Sequence, residues 1–142
     1  MDTGYGMLAW KLRQDERVVA MERTNAMHVS LPERVDLVTV DVSWTRQRHI
    51  LPNALRQLKP DGFVLSLFKP QYEAAPRLVH RGRIAPSAFE PVLADVLCGL
   101  EGQGVVVREV VRLPQGRRSK NPEAFLHVLR RECRLDAAVE EG

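Results

Sequence analysis

The fold is decided by the stretch VDLVTVDV at residues 35–42, which is rich in β-branched residues and almost continuously apolar. A strand that is buried on both faces has this pattern, and such strands belong to parallel sheets covered by helices. A second apolar run, FVLSLF at residues 63–68, has the same character. Between the two runs, residues 50–58 carry apolar side chains at helical spacing. We therefore predict a β-α-β unit with parallel strands at the centre of the chain.

Turn-forming residues set the expected ends of the central helix. Pro52 is compatible with a helix only in its first turn, so we expect the helix to begin shortly before it. The sequence KPDG at residues 59–62 has turn chemistry and is expected to end the helix and lead into the second strand.

Further elements alternate on either side of this unit. The clearest is a helix over residues 89–100, preceded by the capping-box sequence SAFE at residues 87–90. The others are a helix at Leu8–Leu12, a strand at Val18–Met21, and strands at Val105–Leu113 and Ala124–Arg131. The alternation predicts an α/β domain with a mostly parallel sheet, and an antiparallel strand at the end, where no helix intervenes.

Composition excludes several classes of protein. The chain has 142 residues, of which 44% are hydrophobic and 27% charged, as in single globular domains. No apolar stretch approaches the ~20 residues of a membrane helix, and no signal peptide is recognisable, so we expect a cytoplasmic protein without a membrane partner. Two cysteines, Cys98 and Cys133, make no disulfide framework, and four scattered histidines lack metal-ligand spacing. No metal is therefore expected.

The positive charge is concentrated near the end of the chain. The net charge is +3, with 17 Arg against 4 Lys, and residues 108–134 hold eight basic side chains against three acidic ones. Guanidinium groups suit bidentate recognition of phosphate. The stretch is either a solvated mixed surface or part of a nucleic-acid contact, and the sequence leaves both interpretations open.

Polar residues that end the predicted strands are the candidates for chemistry, because ligands of open α/β sheets bind beyond the carboxyl ends of the strands. Asp41 and Lys69 end two strands that should be neighbours, so we expect them to face one another. The pair is either a structural salt bridge or a carboxylate that orients an ammonium, which then stabilises charge on a substrate oxygen. Trp44, just after the first of these strands, is either a packing residue or a platform for a base.

Taken in order, the motifs resemble the TlyA-like branch of the FtsJ-type ribosomal RNA methyltransferases, also known as haemolysin-like proteins. The similarity runs from Asp2 to about Arg131. The matching stretches are DTGYGMLAWKLR (2–13), ERTN (22–25), VDLVTVDVS (35–43), LKPDG (58–62), KPQYE (69–73) and NPE (121–123).

The resemblance implies an activity and the residues that carry it. Members of the family transfer methyl from S-adenosylmethionine to a ribose 2′-hydroxyl with the help of a Lys-Asp-Lys-Glu tetrad. By this resemblance Asp41 is the Asp of the tetrad, Lys69 its second Lys and Glu123 its Glu. The implied cofactor-binding residues are Asp2 for the ribose hydroxyls, Arg23 and Asn25 near the adenine, and Asp41. The implied partner is ribosomal RNA.

The resemblance also implies a domain organisation and a strand order. Residues 1–134 would form part of the methyltransferase domain and residues 135–142 an acidic tail, without the S4-type RNA-binding domain. The fold class expected is a Rossmann-like sheet of order 3-2-1-4-5-7-6 that is incomplete here, because the first strand, first helix and most of the second strand align upstream of Met1. The Gly-rich cofactor loop and the first Lys of the tetrad align there too.

An incomplete sheet leaves the strand at residues 35–42 with an open edge. We expect this edge to be covered by the strand at Arg17–Met21, by another chain such as a second copy, or by further sequence of the same gene product. Two functions follow from the missing loop. The chain is an RNA ribose methyltransferase, or it is a non-catalytic remnant that binds RNA or a protein through its basic surface. We expect no methyl transfer from this chain alone.

Overall fold

The computed structural model describes residues 1–114 and 120–130. The strands are β1 (Val35–Val40), β2 (Leu58–Phe68), β3 (Val79–His80), β4 (Arg83–Ile84), β5 (Val105–Arg112) and β6 (Ala124–Arg130). The α-helices are α1 (Trp10–Arg13), α2 (Gln47–Arg56), α3 (Pro70–Glu73) and α4 (Phe89–Gly102), with short 3₁₀ turns at Pro76–Leu78 and Pro86–Ala88. The predicted acidic tail at residues 135–142, Cys133 and part of the basic stretch lie outside the described residues.

The main sheet has four strands in the order β1-β2-β6-β5. Strands β1 and β2 are parallel and are joined by α2, which is the predicted β-α-β unit. Strand β6 is antiparallel to both of its neighbours, β2 and β5. The predicted α/β fold with an antiparallel last strand is therefore confirmed, and the order matches the 4-5-7-6 part of the expected sheet.

One predicted strand is wrong, because Val18–Met21 forms no strand. Residues 2–4 instead lie along residues 21–24 through backbone hydrogen bonds, from Asp2 N to Met21 O and from Thr24 N to Asp2 O, both 2.9 Å. Val19 is 82% exposed, so this short apolar run has no core face to bury. Strand β1 consequently pairs only with β2 among the described residues.

Strand β2 begins at Leu58 rather than Phe63, so the predicted helix end and turn are misplaced. Val35 pairs with Leu58 but Leu37 pairs with Phe63, and KPDG at residues 59–62 forms a bulge inside the strand. Gly62 is needed there, since a Cβ atom would lie 2.9 Å from the carbonyl oxygen of Asp36. The turn chemistry is used within the strand instead of before it.

The predicted position of Pro52 and the predicted capping box are wrong, whereas α4 begins at Phe89 as predicted. Pro52 lies in the middle of α2, where it removes one intrahelical hydrogen bond, and burial of the apolar face holds the helix together. At α4 the first cap position is Ala88, and no side chain caps the helix, because the 3₁₀ turn at Pro86–Ala88 leads directly into it.

Helices α2 and α4 pack against each other and against the sheet. The core between them is centred on the fully buried side chains of Leu51, Leu58, Val64, Phe68, Leu100 and Leu126. The carboxyl-terminal ends of β1 and β2 are packed into this core. No helix in the described part of the chain is long and apolar enough to cross a membrane.

The other face of the sheet carries partly exposed apolar side chains. The register pairs Leu37 of β1 with Phe63 of β2, and Val106 of β5 with Leu129 of β6. These four side chains form one row across the sheet. Leu37 is 45% exposed, Phe63 37% and Val106 38%. Exposed apolar groups that adjoin in this way typically mark an interaction surface.

Candidate active site

The carboxyl ends of β1 and β2 bring Asp41 and Lys69 together. Lys69 Nζ lies 2.5 Å from Asp41 Oδ1. The Lys69 side chain is only 17% exposed, whereas that of Asp41 is 69% exposed. The predicted juxtaposition is therefore observed. An ammonium has three donors, so Lys69 can hold this carboxylate and still donate to a second oxygen.

A polar network that the sequence did not predict holds the segments behind this pair. Glu73, in α3 just after Lys69, accepts a hydrogen bond at 2.6 Å from the backbone N–H of Gln47 at the start of α2. The Gln47 side chain accepts from the Ser66 hydroxyl at 2.6 Å and donates to the Leu67 carbonyl at 3.2 Å. Gln47 and Ser66 are both buried. The segment after Asp41 and the segment after Lys69 are thus fastened to each other.

Burial sets the titration of Glu73. Desolvation raises the pKa of its carboxyl above the usual value, and the hydrogen bond from Gln47 and the nearby guanidinium groups of Arg46 and Arg48 oppose this rise. In the sequence, Glu73 is the last residue of the KPQYE motif, for which the resemblance implies a role of Lys69 alone.

A cleft of about 340 Å³ lies beside the pair and contains three of the four predicted cofactor residues, Asp2, Asn25 and Asp41. This volume is at the lower end of the roughly 300–1,000 Å³ of small-molecule pockets. One Asp2 carboxylate oxygen accepts from Gly4 N at 2.6 Å, and the Asn25 side-chain oxygen accepts from Met27 N at 2.9 Å. Each side chain therefore keeps a polar atom for a ligand.

Arg23 does not line this cleft. Its guanidinium lies over the ring of Tyr5, 4.7 Å from the ring centroid, and its backbone has φ of +50°. Asn53 was also missed by sequence reasoning. It is buried and donates to the carbonyl groups of Ala26 and Val29 at 2.7 and 2.9 Å, which fixes the loop that follows Asn25.

The register of β2 and β6 determines the position of Glu123 relative to Lys69. The last pair of these strands is Phe68 with Ala124, so Lys69 and Glu123 are the next residues outward on each strand. In the described part of the chain, Lys69 forms an ion pair with Asp41 and not with Glu123. The structure places all three predicted catalytic residues at one sheet edge.

Glu123 lines a second cleft, of about 360 Å³, together with aromatic and amide side chains. Trp44 is 85% exposed, has φ of +66°, and lies 5.2 Å from the Tyr72 ring between centroids. Gln71 contributes a side-chain oxygen that is buried and has no hydrogen-bond partner. Trp44 is therefore not a core residue, and its strained backbone points to a functional requirement. Within residues 1–114 and 120–130 no cluster of His, Cys, Asp or Glu could hold a metal ion.

A parallel strand pair that ends in Asp and Lys, beside a cleft lined by carboxylate and amide groups, defines an α/β domain with its ligand site at the carboxyl edge of the sheet. The sequence profile of the FtsJ-like methyltransferases matches residues 1–131. The chain belongs to the FtsJ-like methyltransferase family, as the motifs predicted.

Named relatives agree with this assignment. YqxC of Bacillus subtilis, provisionally named an rRNA methyltransferase, is 36% identical over 137 residues, which are 90% of this chain and 48% of YqxC. The 16S/23S rRNA (cytidine-2′-O)-methyltransferase TlyA of Mycobacterium tuberculosis is 43% identical over 89 residues, 60% of this chain and 31% of TlyA. The matched part of the chain thus spans less than half of the length of each of these relatives.

Solved structures give the same result. A protein from Lactococcus lactis, provisionally named a hemolysin, superposes with a TM-score of 0.80 at 33% identity, covering 90% of this chain and 64% of that one. A second protein with the same provisional name, from Streptococcus thermophilus, gives a TM-score of 0.82 at 30% identity, with 92% and 49% coverage.

Proposed function

We propose that the chain carries the acceptor side of an S-adenosylmethionine-dependent methyltransferase that modifies ribose 2′-hydroxyl groups of ribosomal RNA. The observation that supports this proposal most directly is the mostly buried Lys69 side chain, whose ammonium is paired with Asp41, a residue that lines a cleft together with Asp2. A structural salt bridge would need neither the cleft nor the free donors of the ammonium. The names of YqxC and TlyA support the choice of RNA.

In this proposal Lys69 is the residue that contacts the reacting hydroxyl. A ribose hydroxyl is a poor nucleophile near neutral pH, and an ammonium that donates to its oxygen stabilises the negative charge that develops as its proton leaves. Asp41 orients the ammonium, and Glu123 at the adjacent register position is the second carboxylate of the group. Glu73 and Gln47 hold the two segments at their separation.

The donor set of the cleft suits S-adenosylmethionine. Asp2 and Asn25 offer the carboxylate and amide groups that bind ribose hydroxyls and an adenine edge, and Asp41 places negative charge near a cationic ligand. When bound, S-adenosylmethionine would supply an electrophilic methyl group on a sulfonium. The resemblance assigns Arg23 to the adenine, and the proposal includes this contact, although the Arg23 guanidinium lies over the Tyr5 ring in the structure.

The second cleft suits the base of the target nucleotide. Trp44 and Tyr72 present aromatic faces on which a base can stack, and the free Gln71 oxygen can accept a hydrogen bond from its edge. Its lining includes Glu123, which would place the ribose of a stacked nucleotide next to the catalytic group.

A different function is favoured by a separate observation. The row of Leu37, Phe63, Leu129 and Val106 is exposed at every position but Leu129, and it lies next to the edge of β1 that is unpaired among the described residues. It suits a module that binds a protein, or a second copy of itself, without transferring methyl. Its basic side chains would then bind RNA or a partner subunit. In the methyltransferase function the protein meets its ribosomal RNA partner in the cytoplasm.

Two measurements test the proposal. Calorimetry with S-adenosylmethionine is carried out on residues 1–142, and transfer of labelled methyl to ribosomal RNA is followed with this chain and with any longer product of the same gene. Lys69→Ala should abolish transfer while leaving the melting temperature nearly unchanged. The matched control is Lys59→Ala, which removes the lysine of the exposed Lys59–Asp36 pair in the β2 bulge.

Transfer that persists in Lys69→Ala, or is lost equally in Lys59→Ala, would contradict the catalytic assignment. Absence of both cofactor binding and transfer from every product of the gene would favour the non-catalytic module.

A further inference from the structure

A cavity lies among the described residues at the end of the sheet opposite the candidate active site. It has a volume of about 890 Å³ and opens between the loop at residues 28–34, the end of α2 and the start of β5. The register pairs Val35 with Leu58 and Val105 with Arg130 at this edge. Since β1 has six residues at about 3.3 Å each, the cavity lies roughly 17–20 Å from Asp41.

Three arginines line this cavity: Arg34, Arg56 and Arg130. We call it the arginine cleft. Elsewhere in the described residues Arg13, Arg17 and Arg112 are each paired with a carboxylate. The three cleft arginines form no such pair there, although Glu33 also lines the cleft.

Neutral oxygen atoms hold these guanidinium groups in place. Arg34 donates to the Leu58 carbonyl at 3.0 Å, and Arg130 donates to the Leu55 carbonyl at 2.7 Å. Arg56 donates to the side-chain oxygen of Asn53 at 3.0 Å. Each contact uses only part of a guanidinium, which has five donors. The groups are therefore oriented, uncompensated in charge, and left with donors for a ligand.

Capping of the α2 carboxyl end does not account for the whole arrangement. Arg130 does donate to the Leu55 carbonyl near the end of α2, as cations commonly do at helix ends, whereas Arg34 donates to Leu58, the first residue of β2. Arg56, however, contacts only the Asn53 side chain, and a cap requires no cavity of this size. Several guanidinium groups that line one cavity suit a bidentate anion with more than one charge, and phosphate is the common biological case.

We propose that the arginine cleft binds phosphate groups, carried either by an RNA strand or by a free nucleotide. The proposal concerns binding at the edge remote from Lys69, so it stands or fails independently of methyl transfer. In the RNA case the cleft would hold a part of the RNA that lies away from the modified ribose.

The test measures binding to the full chain by fluorescence anisotropy with a labelled single-stranded oligoribonucleotide, and by calorimetry with ADP as the free nucleotide. The cleft variant is Arg34→Gln with Arg56→Gln. The matched control, Lys11→Gln with Arg17→Gln, removes the same charge from exposed positions outside the cleft.

We expect the cleft variant to weaken binding of the phosphate ligand about tenfold or more, because hydrogen bonds to charged groups are lost. For RNA, the slope of log affinity against log salt should fall by about 1.4, since each phosphate contact on a single strand contributes about 0.7. The control variant should change the affinity less than threefold, roughly, as expected for screened surface charges.

Loss of RNA binding in the cleft variant alone supports the proposal and identifies RNA as the source of phosphate, and loss of ADP binding alone identifies the nucleotide. Equal losses in the two variants, or binding of neither probe to the unmodified chain, overturn it. If the cleft variant melts early, phenylglyoxal footprinting of the unmodified chain decides: RNA or ADP must protect Arg34 and Arg56 but leave Arg17 reactive.

Discussion

Replacing Glu73 by alanine tests whether a remote carboxylate holds the start of α2. The substitution removes the 2.6 Å hydrogen bond to the Gln47 backbone N–H, which is one of the unpaired donors of the first helical turn. Loss of a helix cap typically costs about 0.5–2 kcal/mol. Because Glu73 is partly buried and α2 carries core residues such as Leu51, we expect a loss of about 1–2 kcal/mol. This corresponds to a melting temperature lower by about 2–8 °C.

Glu73→Gln separates the hydrogen bond from the charge. Its amide oxygen can still accept from Gln47, so it should retain most of the stability. The pH dependence then has a definite sign. Burial raises the folded pKa of Glu73 above its value in the unfolded chain, so its contribution to stability is full below the unfolded value and declines as pH rises through the folded value. The Gln variant should therefore gain on the native protein between acidic and neutral pH.

Urea denaturation of the three proteins across this pH range is the measurement, with Glu101→Ala, on the exposed end of α4, as the control. Two results would refute the reasoning. One is an Ala variant as stable as the Glu101→Ala control. The other is a Gln variant that loses stability relative to the native protein as pH rises.

Three further substitutions probe the bulge, the aromatic cleft and the core. Gly62→Ala should cost about 1–3 kcal/mol in urea denaturation by crowding the Asp36 carbonyl. Gly99→Ala, where nothing lies within 4 Å, should instead stabilise α4 by up to about 1 kcal/mol, and equal effects would argue against the crowding. Trp44→Gly should leave the melting temperature unchanged or higher, because it relieves a positive φ, yet weaken RNA binding; a core role predicts clear destabilisation instead. Phe68→Ala should cost about 3–5 kcal/mol, and a small loss would mean that the β2 end is less tightly packed than its complete burial indicates.

The central β-α-β unit could be predicted because its pattern is local. A continuous apolar run at residues 35–42 has few alternatives to a buried parallel strand, and the strand ends follow from where the polar residues begin. Val18–Met21 shows the limit of the same logic. Its residues are as apolar as those of a strand, but a strand also needs a neighbour and a face to bury, and sequence pattern specifies neither.

Local turn signals failed for a related reason. KPDG at residues 59–62 and the box at Ser87 have the correct chemistry for their predicted roles, but tertiary contacts decide where that chemistry is used. The polar residues Gln47, Asn53 and Glu73 were missed because each binds a partner 19 or more residues away, which no short pattern reveals.

The two lysine–aspartate pairs show why the site itself is a tertiary property. Lys59–Asp36 and Lys69–Asp41 each join β1 to β2, and by residue type they are equivalent. Their surroundings differ: the Lys59 side chain is 51% exposed and solvated, whereas that of Lys69 is 17% exposed. A solvated pair contributes little and binds nothing in particular, because water competes for every donor. The Lys69 side chain is mostly buried beside Asp41, which lines one cleft, and at the register position next to Glu123, which lines the other. Less water therefore competes with an added oxygen at Lys69 than at Lys59. That difference in burial is what makes one of two similar pairs a candidate for catalysis.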